Sequence, residues 1–414
     1  MDHYLRQGRT RLLDHHPIKW ALDNLNSDDQ PRRRQDRITR PVKLRALCAT
    51  IGSSAYFLSQ YRCATLLLMP LPERDLIKRI QQILKQRSSP SKSAGSRVIT
   101  GVGDDCAVLR LAAGHEALVT TDFSLEEVHF RREWHPANVV GHRCLTRGLS
   151  DIAAMGGVPM AAFLSLALPA NLDQKWVDEF LRGFSALARK FGVQLAGGDT
   201  AQSPASNQSS RARTATSGPV LADIMVLGSV PRGKAVLRSG AKVGDDIYVT
   251  GKLGMGVAAL NRLIAGETPK DVLRDRAARK HFWPEPRIEI GRFLRERGIA
   301  SAMIDISDGL STDLRHICDG SGVSAWIAEE AIPFATGANI DDALHGGDEY
   351  ELVFTTRPQK HKLVPKSVGG VPITYIGTIT KDDRAGQHRV WLVNQERGRR
   401  ELEPLGWQHF ERKK

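Results

Sequence analysis

The stretch AMIDISDGLSTDL, residues 302–314, runs from an apolar segment through an Asp-rich turn into an amphipathic one. Its spacing predicts a strand over Ala302–Ile306 and a helix over Leu310–Cys318, with Gly309 at the junction. Strand, acidic turn and helix in that order place carboxylates at a strand's end, where open α/β structures gather ligand chemistry.

Four further motifs put aspartate beside glycine or a small polar residue: Gly101-Val102-Gly103-Asp104-Asp105, Thr120-Thr121-Asp122, Leu149-Ser150-Asp151 and Gly197-Gly198-Asp199-Thr200. Asp151 falls late in a helix opened by Pro136 and running to about Met155. The others end or follow strand-like runs, among them Ala117–Thr121 and Val193–Ala196. Any one Gly-Asp pair is more often an Asx turn or a helix cap. Five in one chain point to a shared task. Hard oxygen donors on separate loops suit Mg²⁺, which takes carboxylates and substrate phosphates together, and no His/Cys cluster suggests zinc.

Around these motifs strand and helix alternate. Strands are expected at Ala161–Leu168, Val220–Val230, Asp246–Thr250, Ser324–Ile327, Tyr350–Thr355, Ile373–Ile379 and Val390–Val393, and helices at Asp173–Phe191, Gly256–Ile264 and Pro286–Arg297. The fold class is mixed α/β (α+β) in two domains, 69–231 and 232–414. Acidic residues recur at strand ends in both, a hint of internal duplication. The polar loops Ser88–Ser96 and Ser203–Pro219 interrupt the first domain. Residues 1–68 show no sustained period and read as an extension, either a disordered leader or a start set upstream of Met69.

Charge and cysteine narrow the function. The net charge is +13, of which twelve Lys/Arg against six Asp/Glu fall in residues 1–68. A basic extension on a mildly basic body favours anionic small substrates as readily as a polynucleotide, and no nucleic-acid partner is expected. Five cysteines without a C-x-x-C pair fit a reducing, cytoplasmic setting. The most apolar stretch, Leu44–Met69, is broken by Arg45, Gln60, Tyr61 and Arg62, so no membrane span is expected. Met1–Gln30 is polar, unlike a signal peptide. Residues 228–235 (GSVPRGKA) nearly fit a P-loop, but Ala235 replaces the metal-binding hydroxyl and Pro231 removes an N–H donor. The segment reads as an interdomain turn.

In order, GVGDDCA, TTD, HF, LSDIAAMG, GGDT, RSGAKVGDDIYVTG, DISDGLSTDL and the late GGDEYEL make the chain resemble the thiamine-monophosphate kinase family, related to aminoimidazole ribonucleotide synthetase and selenophosphate synthetase. The resemblance covers about residue 72 to Phe410. It implies two α/β domains of the aminoimidazole ribonucleotide synthetase-like type, the first dimerising through its sheet into a homodimer. It also implies ATP-dependent phosphorylation of thiamine monophosphate by in-line transfer, assisted by several Mg²⁺ ions.

Carried over by position, Asp105, Thr121, Asp122, Asp151, Asp199, Asp305 and Asp308 would hold the metals, with Thr120 contributing through its backbone. Gly198, Arg238 and Ser307 would contact ATP, and His129, Asp348 and Trp407 the thiamine monophosphate. No general base is implied, because the attacking phosphate oxygen is already ionised. The chain departs from the family in two places. Asp348-Glu349 stands where Glu-Asp is usual; an extended backbone there would turn the two side chains to opposite faces, so one of them faces the substrate, Asp348 by position or Glu349 by side-chain length. Arg147-Gly148 precedes Leu149, where Asn is frequent at 148. A selenophosphate synthetase would need a reactive Cys in a Gly-rich loop, which neither Cys48 nor Cys63 has. A purine-pathway synthetase fits poorly with the segment from Thr121 to Phe130. A nucleotide-binding regulator would not need the full set of acidic ligands.

Overall fold

Leu76, Ile80 and Ile83, three and four residues apart, bury one stripe of the first helix, α1 (Glu73–Lys85). The computed structural model describes residues 71–85, 97–102, 106–204, 218–381 and 386–409, all within one compact unit, Tyr61–Lys414. The extension 1–68, the Ser88–Ser96 loop, Asp105 and most of the Ser203–Pro219 loop lie outside the described residues.

A short ribbon of β1 (Val98–Thr100) and β2 (Val108–Leu109) precedes the first main sheet. That sheet orders its four strands β3-β6-β4-β5, with β3 His115–Leu125, β4 Val158–Leu168, β5 Gln194–Gln202 and β6 Leu221–Pro231. Only β4 and β5 run parallel. Helix α2 (Ala137–Ala154) packs on β3, β4 and β6, and α3 (Gln174–Lys190) packs on α2. Asp173 caps α3 by accepting from the Lys175 N–H at 2.8 Å. The strands are longer than predicted, so Thr120–Asp122 and Gly197–Thr200 lie inside strands and not at their ends. Only one face of β3 is covered; alternate positions stay polar or exposed while the backbone ladder continues.

The second sheet has the order β14-β13-β9-β12-β7-β10-β8, with β11 beside β12. Its strands are β7 Asp246–Thr250, β8 Ala300–Ile306, β9 Ser324–Ala328, β10 Glu351–Thr356, β11 Ser367–Val368, β12 Val371–Thr380, β13 Val390–Asn394 and β14 Gly398–Glu401. Every residue of β10 is buried, as its two flanking strands and packed faces require. The longer helices here are α4 (Met255–Ile264), α5 (Ile288–Glu296), α6 (Leu310–Ser321) and α7 (Ile340–His345). Among the described residues no helix is long and apolar enough to cross a membrane.

Helix α2 joins the two sheets. It packs on α5 and β8 as well as on the first sheet, and its Ser150 hydroxyl donates to Asp305 Oδ2 on β8 at 2.6 Å. The P-loop-like segment is the end of β6 and a turn. Lys234 N–H donates to Pro231 O at 3.0 Å, and Gly233 N–H to Glu116 Oε2 at 3.1 Å. Lys234 is exposed, so Lys234→Ala should leave turnover within about twofold of wild type; a loss like that of a phosphate-holding lysine in steady-state assays would contradict the turn reading.

Candidate active site

Where α2 meets β3 and β8, a cleft of about 580 Å³ opens. Its acidic wall is Asp122 from β3, Asp151 from α2, Asp305 from β8 and Asp308 from the turn after β8, with Thr121 and Ser307 beside them. The cleft is also lined by His129, Arg147, Tyr350 and His409. Each acid arrives by local logic. Alternation on β3 turns Thr120 and Asp122 toward α2. Thr120 Oγ1 donates to Asp151 Oδ2. Gly148, one turn before Asp151, must be small, since a Cβ there would lie 2.6 Å from Val226 Cγ2. After β8, Asp313 Oδ2 accepts the backbone N–H groups of Ser307, Asp308 and Gly309, each at 3.1 Å, which fixes the turn.

The acidic wall is electrostatically unbalanced. Burial, then the Asp151 carboxylate, push Asp122 up to about 7, against a smaller opposing pull from Arg147. Burial and Asp151 likewise push Asp305 up to about 7. Asp151 and Asp308 are also raised, chiefly by burial. Buried like charges this close favour a shared proton or a cation. Hard oxygen donors with uncompensated charge fit Mg²⁺ chemistry, although among the described residues no three acidic, His or Cys groups already form a coordination shell.

Asp199 and Gly198 do not join this wall. Across the first sheet, Asp122 pairs with Ile224, Ile224 with Leu164, and Leu164 with Gly198. Three strand spacings, roughly 14 Å, therefore separate Asp122 from Gly198. Both residues line a different groove, beside Ile77, Ile80 and Phe163. Gly198 approaches β4 so closely that a Cβ would lie 1.9 Å from Leu164 O. Arg238 is exposed, in the turn Arg238–Gly240, yet its charge reaches Asp151 and Asp305 and counters their rise.

The loop with Asp348 differs from the extended backbone expected for it. Asp348 (φ 59°) and Tyr350 (φ 53°) are left-handed, and the only other non-glycine residue in that region among those described is Glu127 (φ 68°), beside His129. Each costs on the order of 1–3 kcal/mol, and such strain gathers at functional sites. The reason lies in the bonds that hold the loop. Asp348 N–H donates to Ser307 O at 2.8 Å and Tyr350 N–H to Ile306 O at 2.9 Å. The two acids do part company, by twisting and not by strand alternation. Asp348 accepts from Arg143 Nη2 at 2.6 Å, Arg147 Nη2 at 3.0 Å and the Tyr350 hydroxyl at 2.6 Å. Burial opposes its charge, but the two guanidiniums hold its carboxyl well below the usual range. Glu349, 1 % exposed, accepts instead from Gly256 N–H at 2.9 Å and from Lys280 Nζ at 2.8 Å. Asp348 is not among the side chains lining the cleft.

His129 Nδ1 accepts from the Leu125 N–H at 3.0 Å, which leaves its proton on Nε2. Burial and Arg147 push its pKa down to about 3, so it enters the cleft as a neutral donor. Trp407 is 52 % exposed, with its ring edge against His409, and it is His409 that reaches the cleft. Trp407 N–H donates to Asp308 O at 2.9 Å. Sequence reasoning missed Arg147, Tyr350, His409 and Asp313. The spacing Arg147–Asp151 on one helix was a usable signal; for His409 no motif exists.

Two family models match the chain: the AIR synthase related protein N-terminal domain over residues 103–230, and its C-terminal domain over 242–388. The thiamine-monophosphate kinase of Salmonella typhimurium is 38% identical over 306 residues, 70% of this chain and 87% of its own. The crystal structure of thiamine-monophosphate kinase from Stenotrophomonas maltophilia K279a aligns with TM-score 0.63 at 32% identity, covering 76% of this chain and 95% of that one. A structure of AaThiL complexed with AMPPCP and TMP aligns with TM-score 0.59 at 26% identity, covering 82% and 99%.

Proposed function

Because the chain belongs to the thiamine-monophosphate kinase family, we propose that its cleft moves the γ-phosphate of ATP onto thiamine monophosphate in a single in-line step. The observation that carries this reading is the wall of four carboxylates, Asp305 buried and Asp122, Asp151 and Asp308 half-buried, facing a cleft large enough for a phosphate ester. A non-bridging oxygen of the acceptor phosphate bonds to the γ-phosphorus as the bond to the β-bridging oxygen breaks. ADP leaves with that electron pair. The attacking oxygen is ionised at neutral pH, so no residue has to remove a proton.

Bound Mg²⁺ would neutralise charge on the transferring phosphates. Asp122, Asp151, Asp305 and Asp308 are the residues to hold it, with Thr121 beside them; Asp105 lies outside the described residues, and Asp199, three strands away on the other groove, is not placed to share an ion with them. Ser307 and Arg238 would meet the nucleotide near this wall, with Gly198 on the groove side. His129 and Trp407 would belong to the thiamine side. The chain's own groups orient and exclude: Ser150 and Thr120 fix two of the acids, and Asp313 fixes the turn under a third.

The same reading divides the chain at 231/232 and makes it a cytoplasmic homodimer. The change of sheet between Pro231 and Asp246 supports the division. Val119, about three-fifths exposed on the uncovered face of β3, supports self-association through that sheet. The stereochemistry of transfer tests the central step. With ATP whose γ-phosphorus is made chiral by one sulfur and two different oxygen isotopes, inversion is expected. Retention would mean a phosphorylated enzyme intermediate and would overturn the single step.

A further inference from the structure

An acceptor phosphate in this cleft is a dianion set against a carboxylate wall, and it needs a fixed positive partner of its own. Among the described residues, the one permanently charged cation lining the cleft is Arg147. It lies four residues, a rise of about 6 Å, before Asp151 on the same face of α2. One turn of helix therefore brings the guanidinium and an acid of the wall to the same cleft.

The side chain is prepared for such a ligand. Its only hydrogen-bond partner among the described residues is Asp348 Oδ1, reached through Nη2 at 3.0 Å. The rest of its planar fork has no acceptor among the described residues, and none of its nitrogens is a sealed, unsatisfied atom. A guanidinium pinned at one corner offers its remaining N–H groups in the geometry that matches phosphate oxygens. Asp348 is pinned in turn. Arg143 Nη2 and the Tyr350 hydroxyl each lie 2.6 Å from its oxygens, and Arg143, 4 % exposed, also donates to His281 O. Two left-handed residues, Asp348 and Tyr350, are spent on holding this arrangement.

We infer that Arg147 binds the phosphate of the acceptor substrate, and that Asp348 is a positioning residue one side chain back, holding Arg147 and Arg143 without touching the thiazolium. This deepens the proposed kinase reading and rests on it. Arg147 recognises the ester by its phosphate, so the enzyme's preference for thiamine monophosphate over thiamine comes from this residue.

The test compares wild type, Arg147→Met, Arg147→Lys, Asp348→Asn and the Arg147→Met/Asp348→Asn double variant, all as the full chain. Steady-state kinetics give KM for thiamine monophosphate and for ATP. Calorimetry with a non-hydrolysable ATP analogue gives Kd for thiamine monophosphate and for thiamine. Arg147→Met should weaken thiamine monophosphate about 10- to 100-fold, with thiamine and ATP affinity within about twofold. Arg147→Lys should fall between, and it carries the comparison if Arg147→Met does not fold. Asp348→Asn should weaken thiamine monophosphate but not thiamine, and should add little in the double variant. Loss of thiamine affinity in Asp348→Asn, an unchanged preference in Arg147→Met, or a rise confined to the KM for ATP would each overturn the inference while leaving the kinase reading intact. A wild-type enzyme that does not phosphorylate thiamine monophosphate would overturn both.

Discussion

Asp122→Asn and Asp151→Asn should each cut turnover by more than about a hundredfold while the protein stays folded. Substituting a group one step removed from a metal already costs 10- to 100-fold, and a direct oxygen ligand should cost more. The substitution keeps side-chain volume and removes one charge from a wall whose charges repel. The fold should therefore survive or gain slightly, since burying like charges is costly. Activity and thermal unfolding then move apart, which a packing defect would not produce. Added Mg²⁺ should raise the unfolding temperature of metal-stripped wild type, and by less in either variant. Near-normal turnover at ordinary magnesium in either one would remove these acids from the chemistry.

Lys280→Met should destabilise the protein by about 3–5 kcal/mol, the cost of leaving a buried charge without its partner. Lys280 Nζ lies 2.8 Å from Glu349 Oε2 and 3.0 Å from Glu351 Oε1, and both acids are essentially sealed from solvent. Glu351 keeps a bidentate Arg287 at 2.6 and 2.7 Å, but Glu349 keeps only the Gly256 N–H. Nearly all the loss therefore traces to Glu349. Lys280→Met combined with Glu349→Gln should recover most of it in chemical denaturation. If the double variant is no more stable than Lys280→Met, the network is not what secures the loop. Because Glu349 is next to Asp348, surviving Lys280→Met protein should also bind thiamine monophosphate more weakly.

The core elements were legible because their apolar periods are regular. The Ala302–Ile306 strand, the Pro286–Arg297 helix and Asp246–Thr250 were expected where the structure has them or within a few residues. Strand ends were harder. β3 and β5 continue through polar residues because hydrogen-bonded neighbours, and not apolar side chains, sustain them. The clustering of Asp122, Asp151, Asp305 and Asp308 follows from motifs that the sequence displays openly. The separation of Asp199 from them depends on strand order, which is set by long-range pairing and leaves no local mark. The Asp348 loop was misread for a related reason. Its left-handed residues are held by Ser307 O and Ile306 O, and the Asp348 side chain by Arg143 and Arg147, partners roughly 40 to 200 residues away in sequence.

The most direct test is a product assay with the purified full chain, ATP, Mg²⁺ and thiamine monophosphate, separating thiamine, its monophosphate and its diphosphate by chromatography. Thiamine diphosphate and ADP should appear one for one, and neither should form when Mg²⁺ is chelated or in Asp122→Asn. ATP converted to ADP and free phosphate, with the monophosphate left unchanged, would contradict phosphoryl transfer to this acceptor.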